Sequence, residues 1–367
     1  MMRKKPELLY LHMDVTVKCN LKCKHCFYGD YNKSEFISQE LELGRMYELV
    51  DEAKSMGCQK IIFSGGEVFT SEKFIPLLRY CKSINLKTIF ITNATLINDE
   101  HLDELVELKD NIDEIKISYE GKNNDFVRGK GTEEVILRNI LKLNDLGFRW
   151  TINTIINRFN INELDSIYDF MKAHSPFAWR LDLPFNVGRF REYSSQLKVD
   201  DFESIFIKLS SILKKYLEEK PNFELWMFSL YRPGLEDFDF EEKKLDMHPC
   251  SYNKRNLGIR GLGEVTPCSR FLPINLGNVK NNSIREVKEQ ELFKDYWKIK
   301  ISDIKECIDC KYVKICGAGC RANAFENFGD IYRRDPLNCA VLPMFEKYII
   351  PLFSEETQEN FRELTTV

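Results

Sequence analysis

The sequence predicts an α/β fold, on three observations. Across the first half of the chain, short β-branched runs alternate with longer segments of helical apolar spacing. The loops between them are short, which asks for parallel strands joined by right-handed helical crossovers. Polar residues gather just past the apolar runs, at the strand ends where parallel sheets collect their ligands. Such an array makes an open doubly wound sheet or a barrel, complete or partial, and periodicity does not choose between them.

The elements follow in order. "YLHMDVT" (Tyr10–Thr16) reads as a strand running into a cysteine loop. Leu41–Gly57 has helical spacing and a glycine stop. "KIIFS" (Lys60–Ser64) is a buried strand, and Ser71 is the expected cap of a helix to about Ile84. Strand Lys87–Thr92 precedes helix Asp99–Leu108, strand Glu114–Glu120 precedes helix Thr132–Gly147, and strand Trp150–Ile156 precedes helix Ile161–His174. "WRLDLPF" (Trp179–Phe185) is the sixth strand. A bridge follows, with a helix near Val199–Glu219 and the acidic "GLEDFDFEEKKLD", read as a solvated loop or a face for a basic substrate. From Cys250 the composition turns to Cys, Gly and Asn, as in a small module held by metal rather than by a core. The tail after Phe353 is polar and expected to fray.

The chain of 367 residues, 43% hydrophobic and 30% charged, suits a soluble protein of roughly two domains. A net charge of -4 with no basic stripe argues against nucleic acid as a partner. The basic N-terminus has too short an apolar stretch for a signal peptide, and no run of 18 apolar residues spans a membrane. A cytoplasmic location is expected. Twelve cysteines without an export signal then point to thiol or metal chemistry. They cluster, three at 19–26 and seven at 250–339, while Cys58 and Cys81 read as buried small hydrophobes on helices.

Cys19, Cys23 and Cys26 are spaced C-x3-C-x2-C. A zinc ribbon wants four ligands, and the local count stops at three unless His25 joins. Three thiolates suit a [4Fe–4S] cube with its fourth iron open. This spacing, with Phe27 after the last cysteine, resembles the radical S-adenosylmethionine (SAM) superfamily. By that resemblance Cys19, Cys23 and Cys26 are the catalytic cluster ligands. The amino and carboxylate groups of SAM then chelate the open iron, and an electron from the cluster yields a 5′-deoxyadenosyl radical. "SGGEVF" resembles the family's Gly-Gly-Glu element. Its Gly65 and Gly66 let backbone carbonyls approach a ligand, and Glu67 accepts from an ammonium. "TNAT" resembles Thr-Asn-Gly, with Asn93 kept and Ala94 replacing the glycine, which weakens the expectation of a tight turn. "ISYEG" resembles Ser-x-Asp-Gly and makes Ser118 and Glu120 candidates for ribose or carboxylate contacts. Arg128 in "FVRGKG" is a candidate for the SAM carboxylate; Asn153 belongs to the same rim, and "NVGR" resembles the Gly-Arg after the sixth strand. The fold implied is a partial (β/α)6 TIM-like barrel.

Cys250-x17-Cys268, Cys307-x2-Cys310-x5-Cys316-x3-Cys320 and Cys339 resemble the seven-cysteine SPASM module. That resemblance gives one auxiliary [4Fe–4S] cluster to Cys307, Cys310, Cys316 and Cys339, and a second to Cys250, Cys268 and Cys320, which lacks a fourth cysteine. Two zinc sites are the alternative. The implied division is a barrel at 1–190, a helical bridge at 191–247, the SPASM module at 248–345 and a terminal helix and tail at 346–367.

The resemblance implies an enzyme with three [4Fe–4S] clusters and SAM, fed by an external flavodoxin- or ferredoxin-type donor. The expected reaction is oxidative modification of a ribosomal precursor peptide: a thioether or carbon–carbon crosslink, or a dehydrogenation. The alternatives are formylglycine formation as in sulfatase maturation, peptide epimerisation, modification of a sugar or tetrapyrrole, and a non-catalytic iron–sulfur or zinc protein. Ser269 stands where the formylglycine branch places an acidic base, though Asp182 could substitute. Cys58 and Cys81 lie away from the rim, which disfavours epimerisation. The barrel starts by residue 10, leaving no room for a leader-binding domain ahead of it, so a separate partner or the cleft itself would hold the peptide.

Overall fold

The computed structural model describes residues 6–29, 34–228, 240, 242–250, 255–271 and 273–366. Most of the acidic run lies outside the described residues. The described chain forms β1 (Tyr10–Thr16), α1 (Ser34–Ile37), α2 (Leu43–Ser55), β2 (Lys60–Gly65), α3 (Phe74–Ser83), β3 (Lys87–Thr92), α4 (Asp99–Leu108), β4 (Ile112–Ser118), α5 (Asn124–Arg128), α6 (Thr132–Asp145) and β5 (Trp150–Ile155). Then come α7 (Leu164–His174), β6 (Ala178–Asp182), α8 (Gly188–Leu197), α9 (Phe202–Glu219), β7 (Glu224–Met227), β8 (Asn256–Ile259) and β9 (Val265–Thr266). The remaining helices are α10 (Ile284–Glu289), α11 (Glu291–Lys298), α12 (Val313–Cys316), α13 (Arg321–Phe328), α14 (Pro336–Tyr348) and α15 (Glu355–Thr365). Two compact units result. The first holds the described chain up to residue 119 with 124–153 and 255–297; the second holds 120–123, 154–250 and 298–366.

In the first unit the strands run in the order β5-β4-β3-β2-β1-β8-β9. All pair in parallel except β9, which is antiparallel to β8. Alternation sends successive side chains to opposite faces. One face is apolar throughout: Leu11, Met13, Phe63, Phe90, Ile117 and Ile152 have no solvent exposure. Phe90 meets Phe74 of α3 edge-on at 5.1 Å. The register aligns Asp14 with Ser64, Ile91 with Lys116, and Ser118 with Asn153 on the other face. A doubly wound sheet would need two apolar faces. One largely apolar face and one mixed face fit the wall of a barrel.

In the second unit β6 and β7 pair in parallel. Trp179 is fully buried and donates from Nε1 to Thr154 Oγ1 at 3.0 Å.

Several boundaries differ from the expectation for local reasons. The sixth strand stops at Asp182 because Pro184 has no N–H for a ladder. The fourth is displaced to Ile112–Ser118. Helix α3 starts at Phe74 with Lys73 at its N-cap, while Ser71 ends the preceding turn. Residues Ile161–Glu163 form a single 3-10 turn before α7. Helix α9 starts after Asp201, whose carboxylate accepts from Glu203 N at 3.0 Å. Residues 256–297 also have an apolar core, with Leu257, Val265, Leu276 and Val287 fully buried. For that segment the expectation of a module held by metal alone is corrected.

Candidate functional site

The cysteine loop leaves β1 at Thr16, and buried Glu40 fixes its first turn. Glu40 Oε1 accepts from Thr16 Oγ1 at 2.6 Å and from Val17 N at 2.7 Å, and Lys73 pairs with Oε2 at 2.8 Å. The Gly65–Gly66 turn packs on this stretch. Gly66 N donates to Thr16 O, and Glu67 N to Lys18 O, both at 2.8 Å. A Cβ on Gly65 would lie 2.2 Å from Thr16 O, and one on Gly66 would lie 2.1 Å from Lys18 O. The two glycines therefore admit the protein's own cysteine loop, which places it against β2.

Glu67 is almost fully buried and ties the ends of β2 and β3 together. It accepts from Thr92 Oγ1 at 2.6 Å and from Asn93 N at 2.7 Å. Burial pushes its carboxyl up to about 7, against hydrogen bonds from Asn93, Thr92 and Phe69 and the Arg128 charge. Oε1 also accepts from Phe69 N at 3.4 Å, so Oε2 is the oxygen that keeps a lone pair for a cation such as an ammonium. Asn93 Nδ2 donates to Asn20 Oδ1 at 3.0 Å, and Asn20 Nδ2 to Thr95 Oγ1 at 2.8 Å. The tight turn survives without its glycine: Ala94 sits at φ +58°, held by Thr92 Oγ1 at its N–H and Asn139 Nδ2 at its carbonyl.

The three thiols are drawn together. Cys26 N bonds to Cys23 O at 3.2 Å, and Lys24 N to Val127 O of α5 at 2.8 Å. Burial, reinforced by Glu67, Cys23 and Cys26, pushes the Cys19 thiol up to about 12. Cys23 is buried and Cys19 and Cys26 are half-buried, and neighbouring thiols of this kind are a donor set that loses its protons to a cationic iron centre. Arg128 reaches over the group, with Nη1 3.7 Å from Cys23 Sγ and Nη2 3.3 Å from His25 Nε2. His25 thus faces Arg128, which argues against it as a fourth metal ligand.

A second network was not anticipated. Asp14 Oδ1 accepts from Tyr28 at 2.7 Å and from Ser64 at 2.9 Å, and Asp14 pairs with Arg260 Nε at 3.2 Å. The Arg260 guanidinium stacks over the Tyr28 ring at 4.1 Å and donates to Ser269 O at 3.2 Å. The cysteine loop is thereby fastened to β1, to β2 and to the turn after Cys268. The signal was legible: Asp14 is a charge inside an apolar strand.

The second unit holds a different site. Cys307, Cys310, Cys316 and Cys339 line one recess with Tyr312, Val313, Ala318, Asp335 and Leu342. Burial pushes the Cys307 thiol up to about 11 and Cys316 higher still. Asn338 Nδ2 lies 3.8 Å from Cys316 Sγ. Among the described residues no three His, Cys, Asp or Glu side chains converge on a point for a single ion. Four thiols around one recess are a donor set that suits an iron–sulfur cluster.

The other predicted residues fall as follows. Ser118 and Asn153 are register partners, and Asn153 Oδ1 is buried without a hydrogen-bond partner among the described residues, a polar atom left for a ligand. Glu120 is fully buried and belongs to the second unit. Asp182 is paired with Arg180 at 2.8 Å. Cys268 lies in the first unit, Cys250 and Cys320 in the second. Cys81 is buried on α3, while buried Cys58 lies in the turn after α2 and not on a helix. No helix among the described residues is long and apolar enough to cross a membrane.

Comparison with known proteins agrees with this geometry. Residues 13–171 match the Radical SAM superfamily, and residues 250–311 match SPASM, an iron–sulfur cluster-binding domain. An AdoMet-dependent heme synthase of Methanosarcina barkeri (strain Fusaro) is 27% identical over 342 residues, 88% of this chain and 94% of that one. A cysteine-type anaerobic sulfatase-maturating enzyme of Clostridium novyi is 24% identical, over 84% and 87%. The structure of Streptococcus suis SuiB bound to precursor peptide SuiA superposes with a TM-score of 0.72 at 19% identity, covering 90% of this chain and 75% of that one. Native anSMEcpe with bound AdoMet and Cp18Cys peptide gives 0.70 at 20%, covering 94% and 97%. The three-thiol loop, the strand-end rim and the four-thiol recess thus have their family: this chain is a radical SAM enzyme with a partial barrel and a C-terminal SPASM iron–sulfur domain.

Proposed function

We propose that this enzyme removes hydrogen from a peptide and oxidises it, forming a crosslink or an unsaturation. One observation carries the reading: an open three-thiol loop and a separate four-thiol recess occur in one chain. When bound, a cluster at the loop supplies the electron that splits SAM. Cys19, Cys23 and Cys26 would hold it; Glu67, Asn93, Ser118, Arg128 and Asn153 would contact SAM, with Glu67 suited to the ammonium and Arg128 to the carboxylate. The four thiols of the recess would hold a cluster suited to carrying an electron away. A flavodoxin- or ferredoxin-type donor feeds the enzyme in the cytoplasm.

A peptide substrate is supported by the peptides bound in the SuiB and anSMEcpe structures. Formylglycine formation is disfavoured because Ser269 replaces the acidic base and Asp182 is engaged by Arg180. A second reading, oxidation of a tetrapyrrole side chain, is favoured by three heme synthases and an Fe-coproporphyrin III synthase among the relatives. Anaerobic turnover of short peptides encoded beside the gene, with an iron coproporphyrin in parallel, separates the two. Mass spectrometry should show a peptide that has lost two hydrogens. Turnover of the tetrapyrrole with no change in any peptide would contradict the peptide reading.

A further inference from the structure

Arg321, directly after Cys320, begins α13 and is among the largest side chains with no access to solvent, 1% exposed. Its Nη1 donates to Ile331 O at 2.5 Å and Arg333 O at 2.7 Å, and its Nη2 to Ala318 O. Its Nε is buried with no hydrogen-bond partner among the described residues. Carbonyl oxygens orient a guanidinium but carry no net charge. No carboxylate lies within ion-pair distance of it among the described residues. A cation buried this way is costly unless an anion lies near.

The nearby candidate is already occupied. Asp335 lines the four-thiol recess, yet its carboxylate is spent on N–H donors: Cys320 N at 2.8 Å, Leu337 N at 2.9 Å, Asn323 Nδ2 at 3.2 Å and Asn338 N at 3.3 Å. Arg333 faces outward and pairs with Glu306 at 2.9 Å. Arg321 adjoins the recess itself, since Ala318, whose carbonyl accepts from its Nη2, lines the recess beside the four thiols. Four thiolates around a cluster make a net anion, and the charge around a cluster sets its reduction potential.

We propose that Arg321 is the buried counter-cation of the four-thiolate cluster and raises its reduction potential, making it the better electron acceptor. The proposal rests on the reading that Cys307, Cys310, Cys316 and Cys339 hold that cluster. Arg321 is a positioning and tuning residue, not a catalytic one.

The test is an EPR-monitored redox titration of the anaerobically reconstituted full chain. Cys339→Ala identifies the signal of the recess cluster. If that signal and its iron are unchanged in Cys339→Ala, the ligand set is wrong and the counter-cation falls with it. In Arg321→Gln the recess signal should titrate at a more negative potential, while the signal lost in Cys19→Ala stays in place. Arg321→Lys should return it toward the wild-type value. An unchanged potential in Arg321→Gln, with full iron content, overturns the proposal. If Arg321→Gln loses the recess cluster, iron content decides. Retention in Arg321→Lys supports the charge; loss in both overturns it, because the carbonyl-bonded shape of the guanidinium would then be what matters.

Discussion

In the first unit three thiols sit on a loop tied down by residues outside it: Glu40 at its start, the glycine turn beneath it, Asn93 and Thr95 at Asn20, and Asp14 at Tyr28. In the second unit Cys307 ends a 3-10 turn, Cys310 lies in the loop after it, Cys316 ends a four-residue helix and Cys339 lies in the first turns of α14, with ties such as Cys320 N to Asp335 and Tyr312 to Glu346 running among these same segments. The difference follows from ligand count. Three thiolates leave a coordination position free, so the protein must hold the loop in place while a substrate-like ligand comes and goes. Four thiolates close the site, and the bound cluster can itself hold the turns together.

The comparison breaks most visibly at the cysteines. Replacing Cys19, Cys23 and Cys26 together by Ala should drop SAM cleavage to background while the recess keeps its iron. Replacing Cys307 and Cys310 should do the reverse, removing the recess iron and leaving SAM cleavage with dithionite. Loss of cleavage in both variants to the same extent would erase the division of labour.

Metal removal sharpens it. A helix as short as Val313–Cys316 is not stable alone. Chelation should therefore expose residues 305–339 to hydrogen exchange while residues 10–18, paired in the sheet and bonded to Glu40, stay protected. Equal loss of protection in both would show that the first loop also depends on its metal for shape.

The glycine turn gives a smaller effect. Gly66→Ala pushes a Cβ against the Lys18 carbonyl, and the overpacking should cost about 1–3 kcal/mol of stability. It should also lower the iron of the first cluster only. Chemical denaturation and iron assay check both.

The smallest effect is electrostatic. Arg333 and the Arg334 N–H hold the exposed Glu306 carboxyl down at about 2. A depressed carboxylate stabilises the fold above its unfolded value near 4.5, and this is lost as pH falls toward 2. Glu306→Gln should lower stability at neutral pH by under about 1 kcal/mol, since water screens the pair. The gap to wild type should close in acid.

The sequence made the first unit largely legible because its signals are local and periodic. Strands Tyr10–Thr16 and Lys87–Thr92 and helix Asp99–Leu108 fall where the pattern placed them. The three-thiol loop and the Glu67 turn were legible from spacing. Strand β8 was not, because four residues show no period; it exists through pairing with β1, which lies over two hundred residues earlier. The same holds for Arg260 as the partner of Asp14: the strand charge stands out in sequence, but only the fold joins it to Arg260. The glycines have a packing role that is hidden for a related reason. Gly65 and Gly66 are adjacent in sequence to Glu67, but the backbone they admit belongs to residues 16–18.

The central claim is that the three-thiol loop at residues 19–26, and not the four-thiol recess, offers the open position to SAM. EPR of the reduced, fully reconstituted enzyme before and after adding SAM tests it most directly. The account predicts that one cluster signal changes on SAM addition, that this signal is missing in the Cys19, Cys23 and Cys26 variant, and that the recess signal identified by Cys339→Ala does not move. A SAM-dependent change that persists without the three loop cysteines, or that appears in the recess signal, would contradict it.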